Sequence, residues 1–479
     1  MFKNLLPSKI RVRIAPSPTG QLHFGTARTA LFNFLFARAN NGVFLVRIED
    51  TDVERSKKEF EKDILDNLTW LGISWDEEII RQSERKKIYH PYIKKLLEKD
   101  LAYYCFCQAE DLEAIKAEQM SRGEAPRYSG HCQSIKPEIA QERITQGEKS
   151  IIRLRVPQKN IEFEDLVKGK ITYDASLFGD FVIAKNEDEP IYNLAVVIDD
   201  FESRISHIIR GEDHISNTPK QIIIQKMLDF PRPHYIHLPL ILNPDRSKMS
   251  KRKNITSIKD YREDGFLKEA LINFIAFLGW NPKTNTEIFS LEKLITEFSI
   301  KGIQKAGAVF NLQKLEWFNN YYIKHLPLET LFELSKDYFQ NCQDKEKIKK
   351  IISLQKDRVK KLSEFKTNSK FFFELPNYEG QLLIWKNSPN DLILNNLKKI
   401  KSEFEKINNS DFVFINLKKI IDGLVGESGS GEIYWPLRTA LSGLKESPPP
   451  LEIAEIIGQK ESLIRIEQAM ELLKSELTG

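Results

Sequence analysis

The stretch Ile10-Arg-Val-Arg-Ile14, then Pro16-Ser-Pro-Thr-Gly-Gln-Leu-His-Phe-Gly25, then the run Thr26 to Ala39, decides the fold. Apolar and polar residues alternate over the first five positions, which predicts a strand. Pro16, Pro18 and Gly20 make the next segment a rigid loop, and Thr26 to Ala39 reads as a helix ending at Asn40-Asn41-Gly42. Strand, loop and helix in that order set backbone N–H groups at the edge of a parallel sheet, where phosphates bind. Val43–Ile48 is an apolar run of strand length, and Thr51 with Glu54 has the spacing of a capping box for a helix running to Leu71 and closed by Gly72. Two strand–helix units in succession predict a parallel sheet with right-handed crossovers.

Tyr89–Leu101 reads as a further helix, leading into a cysteine-rich stretch. From about residue 105 to 185 the rhythm changes, and segments such as Ile151-Ile-Arg-Leu-Arg-Val156 and Asp180-Phe-Val-Ile183 predict an inserted mixed unit. Tyr192–Asp200 and His207–Gly211 read as strands that resume the sheet, and Thr218–Asp229 as a helix ending before Pro231. Helices dominate from Ile255 to Trp317. Beyond about residue 325 the pattern is almost entirely helical, broken by Pro376, Pro389 and Ser447-Pro-Pro-Pro450. The Gly/Ser-rich stretch Gly423–Gly431 follows no strand and lacks the spacing and Lys of a P-loop, so it is expected to be a flexible loop.

The 479 residues exceed one ordinary core, so three or four structural units are expected. Hydrophobic residues at 41% and charged ones at 29% are those of a soluble globular protein. No run of about 18 apolar residues is present to span a membrane. Met1 to Arg13 lacks the apolar region of a secretion signal, and four cysteines, three of them within residues 105–132, suit a reducing compartment. A cytoplasmic protein is therefore expected. The net charge of +4 is too slight to demand a nucleic-acid partner, but the basic clusters Lys345–Lys350 and Lys356–Lys361 permit one.

A second segment, Lys248-Met-Ser-Lys-Arg252, is a compact cationic loop between Pro244 and Asn254. Alone it is an ordinary charge run, as a lone His before Gly is ordinary packing. Together and in this order the two segments point to ATP. The pair resembles the ATP motifs of class I aminoacyl-tRNA synthetases. The run Arg47-Ile-Glu-Asp-Thr-Asp52, with Arg13 and Ser17 upstream, resembles the glutamyl-tRNA synthetases, and the likeness extends from about residue 10 to the C-terminus. It implies an α/β Rossmann-type catalytic domain in two halves (1–85 and 191–243), split by an acceptor-binding insertion (86–190). A stem-contact region (244–327) and two all-α anticodon-binding parts (328–376 and 377–479) follow.

The implied reaction joins L-glutamate to tRNA(Glu) with ATP and Mg2+, by a monomer. A carboxylate attacks the α-phosphate and pyrophosphate leaves, so the site needs positioned donors rather than a protein nucleophile. By this resemblance Pro16, His23, Gly25 and Lys251 bind ATP, with Gly25 leaving room for adenine or ribose. His23, Thr26, Lys248, Ser250, Lys251 and Arg252 stabilise the leaving pyrophosphate. Thr26 stands where the general class I motif has a second His. Arg13 and Arg210, in Ile209-Arg-Gly-Glu-Asp213, are the receptors for the side-chain carboxylate, since a guanidinium binds it bidentately. Glu49 takes the ammonium, and Ala15, Ser17 and Tyr192 complete the pocket; Val196, four residues after Tyr192, departs from the family's usual Asn and is given no contact. On spacing alone Arg13 is only the polar position of a half-buried strand and Glu49 only a charge before a helix. Arg210 separates the chain from glutaminyl relatives, whose neutral substrate needs no arginine.

Cys105, Cys107 and Cys132, with Tyr128 and His131 nearby, are candidate ligands of a structural Zn2+, Tyr128 lying four before the last Cys as in some relatives. Ser134 stands where others have a His. Three reduced thiols without metal are the alternative. Arg358 falls where discriminating relatives place an arginine that reads the third anticodon base. Two other classes compete: a paralogue that glutamylates a modified base, and a tRNA-binding paralogue with a decayed ATP site. About 150 C-terminal residues of helical pattern oppose the first, and intact His23, Lys251 and Arg252 the second. Whether tRNA(Gln) is also charged is left open.

Overall fold

A computed structural model describes residues 7–52, 54–249, 257–339 and 342–478. The chain forms two compact units, residues 1–263 with 268–315, and residues 264–267 with 316–479.

The first unit runs β1 (Arg11–Ile14), α1 (Phe24–Ala39), β2 (Val43–Ile48), α2 (Lys58–Trp70), β3 (Ile80–Arg81) and α3 (Lys86–Glu98). There follow β4 (Ala102–Cys105), α4 (Ala109–Ser121), α5 (Pro137–Thr145), β5 (Ile151–Leu154), β6 (Asn160–Asp165), β7 (Gly169–Asp174), β8 (Val182–Asn186) and β9 (Glu189–Pro190). Then come α6 (Tyr192–Glu202), β10 (His207–Gly211), α7 (Thr218–Leu228) and β11 (His234–Leu238). β1, β2 and β3 pair in parallel, Arg11 opposite Val43 and Arg47 opposite Ile80; β10 and β11 pair in parallel, His207 opposite His234. Ser206 joins the two ladders: its N–H donates to Arg11 C=O (3.0 Å), and the Arg11 N–H donates to Ser206 Oγ (2.9 Å). The strands therefore lie in the order β3-β2-β1-β10-β11, and their ladders are parallel, as the two successive strand–helix units predict. The buried faces of β2, β5, β10, α3, α6 and α7 share one core, with Leu45, Ile93, Ile152, Leu194 and Ile222 among its members.

The insertion divides in a way its sequence does not announce. β4, β5, β8 and β9 make a separate antiparallel sheet, whereas the hairpin β6–β7 extends the catalytic sheet through Tyr235 of β11, opposite Asp165.

Three expectations are corrected. Tyr192–Asp200 is helix α6, not a strand: an unbroken apolar run buried on every side has no face to reveal its period. The capping box of Thr51 and Glu54 does not form, because α2 starts at Lys58. Ser56 and Lys57 instead give their N–H groups to the Asp52 and Pro18 carbonyls, and Arg55 Nε donates to Asp52 Oδ2 (2.6 Å). Gly423–Gly431 is not a loop: one helix covers Phe414–Ser428, the next Ser430–Ser442, and only Gly429 breaks them, at φ +89°, a conformation open to glycine.

The second unit is helical throughout, its longest helices Asn390–Lys406 and Gln459–Thr478. Buried Arg465 ties it together, donating to the carbonyls of Phe371 (2.6 Å), Leu441 (2.5 Å) and Glu374 (3.2 Å) and to Glu461 Oε1 (2.8 Å).

Candidate active site

A cavity of about 620 Å³ opens at the carboxyl ends of β1 and β10 and the N-terminus of α1. The sequence motifs converge on it: Arg13, Ala15, Pro16, Ser17, His23, Gly25, Thr26, Glu49, Tyr192, Arg210 and Lys248 all line it. Ser250, Lys251 and Arg252 lie outside the described residues, and Lys248 is exposed on the way to them.

His23 caps α1. Its ring accepts from the Thr26 N–H at Nδ1 (3.4 Å), and Nε2 lies 3.1 Å from Thr26 Oγ1, so the hydroxyl engages the imidazole itself. A Cβ on Gly25 would come within 3.2 Å of that ring, so the glycine first makes room for His23. Glu49 N–H donates to Pro16 C=O (3.0 Å), holding the loop against the end of β2.

The floor is a buried charge cluster. Arg13 clasps Asp200 through Nε (2.9 Å) and Nη2 (3.2 Å), while Arg47 donates to Asp200 Oδ1 (2.6 Å) and Glu49 Oε1 (3.0 Å). Burial alone would raise the Asp200 carboxyl, but Arg13 and Arg47 hold it down to about 2. Burial pushes Glu49 up against the pull of Arg47 and Arg13. Neither bland expectation survives: Arg13 is 4% exposed rather than half-buried, and Glu49 precedes no helix cap but pairs with Arg47.

Arg210 differs from Arg13 and Arg47 in having no carboxylate partner. Nη2 donates to Thr218 Oγ1 (2.8 Å) and Nε to His237 Nε2 (3.3 Å), both neutral acceptors. Nη1 is buried without a hydrogen-bond partner among the described residues. Tyr192 Oη lies 3.0 Å from His214 Nδ1; burial, with Glu49, pushes the phenol up to about 12, while burial and Arg210 push His214 down to about 4. The site therefore presents a cation ready for an anion, a carboxylate two residues past Arg47, and a capped helix N-terminus. Sequence reading missed Asp200, His214, His237 and Arg28, the last buried in the wall with its donors on the Pro239 (2.6 Å) and Leu278 (3.0 Å) carbonyls. Two consecutive aspartates closing an apolar run, Asp199 and Asp200, were the one available signal.

Away from the cavity, Cys105, Cys107 and Cys132 bring their sulfurs within 4.8 Å of one another. Cys107 Sγ lies 3.5 Å from Cys132 Sγ, and Tyr128 Oη 3.4 Å from Cys105 Sγ and 3.5 Å from Cys107 Sγ. Ligands about 2.3 Å from a tetrahedral zinc sit roughly 3.8 Å apart, so the set fits that ion. Arg358 is exposed in the turn after the helix Lys345–Gln355. Among the described residues no helix is long and apolar enough to cross a membrane.

Residues 9–317 match the family model for the catalytic domain of class I tRNA synthetases (E and Q), and residues 330–470 match an anticodon-binding domain. The chain belongs to this class I synthetase family. It is 42% identical to the glutamate–tRNA ligase of Carboxydothermus hydrogenoformans, over 95% of this chain and 99% of that one. It is 40% identical to glutamate–tRNA ligase 2 of Thermoanaerobacter pseudethanolicus, over 98% and 99%. A crystal structure of a glutamate tRNA ligase from Elizabethkingia meningosepticum in complex with its amino acid superposes with a TM-score of 0.88 at 33% identity, covering 97% of this chain and 99% of that one.

Proposed function

We infer that this chain is a glutamate–tRNA ligase: it activates L-glutamate with ATP and passes the glutamyl group to the 3′ end of tRNA(Glu). The observation that carries the choice of amino acid is Arg210, a buried guanidinium on neutral partners whose Nη1 is left for a ligand. A side-chain carboxylate satisfies it bidentately, whereas an amide leaves the cation without a counter-charge. Arg13 shares the pocket, with Asp200 behind it fixing its plane. Glu49 takes the α-ammonium, and Ala15, Ser17 and Tyr192 border the backbone of the amino acid.

ATP enters as its Mg2+ complex along Pro16, His23, Gly25 and the N-terminus of α1, whose N–H groups and dipole favour anions. The glutamate α-carboxylate attacks the α-phosphate and pyrophosphate departs. His23 and Thr26, with Lys248, Ser250, Lys251 and Arg252 from the second motif, meet the charge that develops there. The tRNA 3′ hydroxyl then displaces AMP. Cys105, Cys107, Cys132 and Tyr128 support a structural zinc, closed to substrate because no ligand position is left open. ATP–pyrophosphate exchange tests the whole reading. Exchange should depend on glutamate and on tRNA, and exchange driven equally by glutamine would overturn it.

A further inference from the structure

Behind Arg210 lies a buried chain of hydrogen bonds, through Asp165, His237 and Thr218, none of which lines the cavity. Asp165 closes the hairpin strand β6, and its Oδ1 accepts the N–H groups of Val167 (2.9 Å) and Lys168 (2.7 Å). Its Oδ2 accepts the His237 N–H (3.1 Å) and lies 2.7 Å from His237 Nδ1. Burial opposes a charge on Asp165, but the bond from His237 and these amides hold it below the usual carboxylate range. An ionised carboxylate only accepts, so Nδ1 carries the imidazole proton and Nε2 offers its lone pair. Burial pushes His237 down, as Arg210 also does, so the ring is neutral. Nε2 then meets Arg210 Nε (3.3 Å) and lies 3.1 Å from Thr218 Oγ1, which itself accepts from Arg210 Nη2 (2.8 Å).

The consequence is electrostatic as well as geometric. A carboxylate directly against Arg210 would fix the guanidinium equally well but would neutralise it, leaving little attraction for a second carboxylate. With the His237 ring between them, Asp165 orients the arginine without pairing its charge. The inner edge, Nε and Nη2, is held by neutral acceptors, and Nη1 is left for a ligand. We propose that His237, set by Asp165, is a positioning residue: it locks the Arg210 guanidinium plane while keeping its charge available to the glutamate side chain. The proposal rests on Arg210 being the carboxylate receptor. It gives the β6–β7 hairpin a role in amino-acid recognition, because Asp165 is the residue through which that hairpin joins β11.

The test is steady-state aminoacylation with the full chain and tRNA, comparing KM for glutamate with KM for ATP. In His237→Asn the amide can still donate to Asp165, but the side chain ends short of Arg210. His237→Gln places an amide oxygen near the former Nε2. The Asn variant should raise KM for glutamate about tenfold to a hundredfold with KM for ATP nearly unchanged, and the Gln variant should recover most of the loss. In an Arg210→Ala background His237→Asn should add nothing further, because the residue acts through that arginine. If Arg210→Ala is selective for glutamate but His237→Asn leaves KM for glutamate unchanged, or raises both KM values alike, the positioning role is wrong and the receptor stands. If Arg210→Ala itself is unselective, the receptor reading falls and this one with it. Should His237→Asn not fold, Asp165→Asn is measured instead. It removes the charge that sets the His237 tautomer, and an unchanged KM for glutamate there overturns the proposal.

Discussion

A buried arginine is defined by what its partners leave undone. Arg13 and Arg47 share Asp200, and Arg47 also holds Glu49, so their charges are largely answered inside the protein, whereas Arg210 has hydroxyl and imidazole partners only. Arg210→Ala should therefore weaken glutamate far more than ATP. Truncating one member of a desolvated charge pair costs roughly 2–5 kcal/mol. Separate measurements of KM for glutamate and for ATP decide it, and equal losses would mark the arginine as architectural. On spacing alone Arg13 and Glu49 were ordinary; Arg13, Glu49, Arg210 and His23 were legible only because the short segments that carry them resemble family motifs. Their partners were not: Asp200 meets Arg13 across 187 positions and Asp165 meets His237 across 72. No local pattern encodes which distant carboxylate a buried cation will choose.

At the scale of elements, legibility follows exposure. α1, β2 and β10 could be read, since caps or flanking turns bound them. α6 was misread because its residues are buried on all sides, and Gly423–Gly431 because composition hid two helices separated by one glycine. The cysteine cluster is the reverse case, where local spacing foretold a spatial cluster. Cys105 ends β4, Cys107 follows it and Cys132 lies in the segment before α5; the two stretches pack in one small buried cluster, which a shared ion would fasten. Protein purified without chelator should carry about one zinc per chain by elemental analysis. Cys107→Ser should remove it and make the insertion more susceptible to proteolysis, with KM for ATP unaltered. Metal-free protein with a protected insertion would mean that the thiols are simply reduced cysteines.

Over the whole molecule, acid should act through histidines before carboxylates. Burial and His234 hold His207 down to about 4, and burial and Arg210 do the same to His214, against an ordinary value of 6.5. As pH falls below 6.5 the unfolded chain takes up these protons first, so stability drains away between 6.5 and about 4. Asp200, held at about 2, contributes stability that is present above the ordinary carboxylate range and is lost only as pH falls towards 2. Urea midpoints should be level above neutrality and decline below 6.5, and His207→Gln should flatten part of the decline; a constant midpoint down to about pH 4.5 would contradict this. Choice among tRNAs belongs to the same scale, and the proposed reader is one exposed side chain, Arg358. The backbone around Arg358 is pinned: its N–H bonds Gln355 C=O (2.8 Å), Val359 is buried, and Asn320 Nδ2 donates to Val359 C=O (2.7 Å). A fixed backbone limits how far the guanidinium can reach, which discrimination between bases requires. Glutamate codons begin with G, so their anticodons end in cytosine, whose O2 and N3 accept from an arginine. Glutamine anticodons end in guanine, which is larger and turns N–H donors towards it. Arg358→Gln should therefore lower kcat/KM for tRNA(Glu) and narrow its margin over tRNA(Gln). An arginine that merely grips a phosphate predicts a different result: both tRNAs weaken alike and the salt dependence flattens. Measuring kcat/KM for the two tRNAs with wild type and this single variant separates the cases, and an unchanged ratio removes Arg358 from anticodon reading.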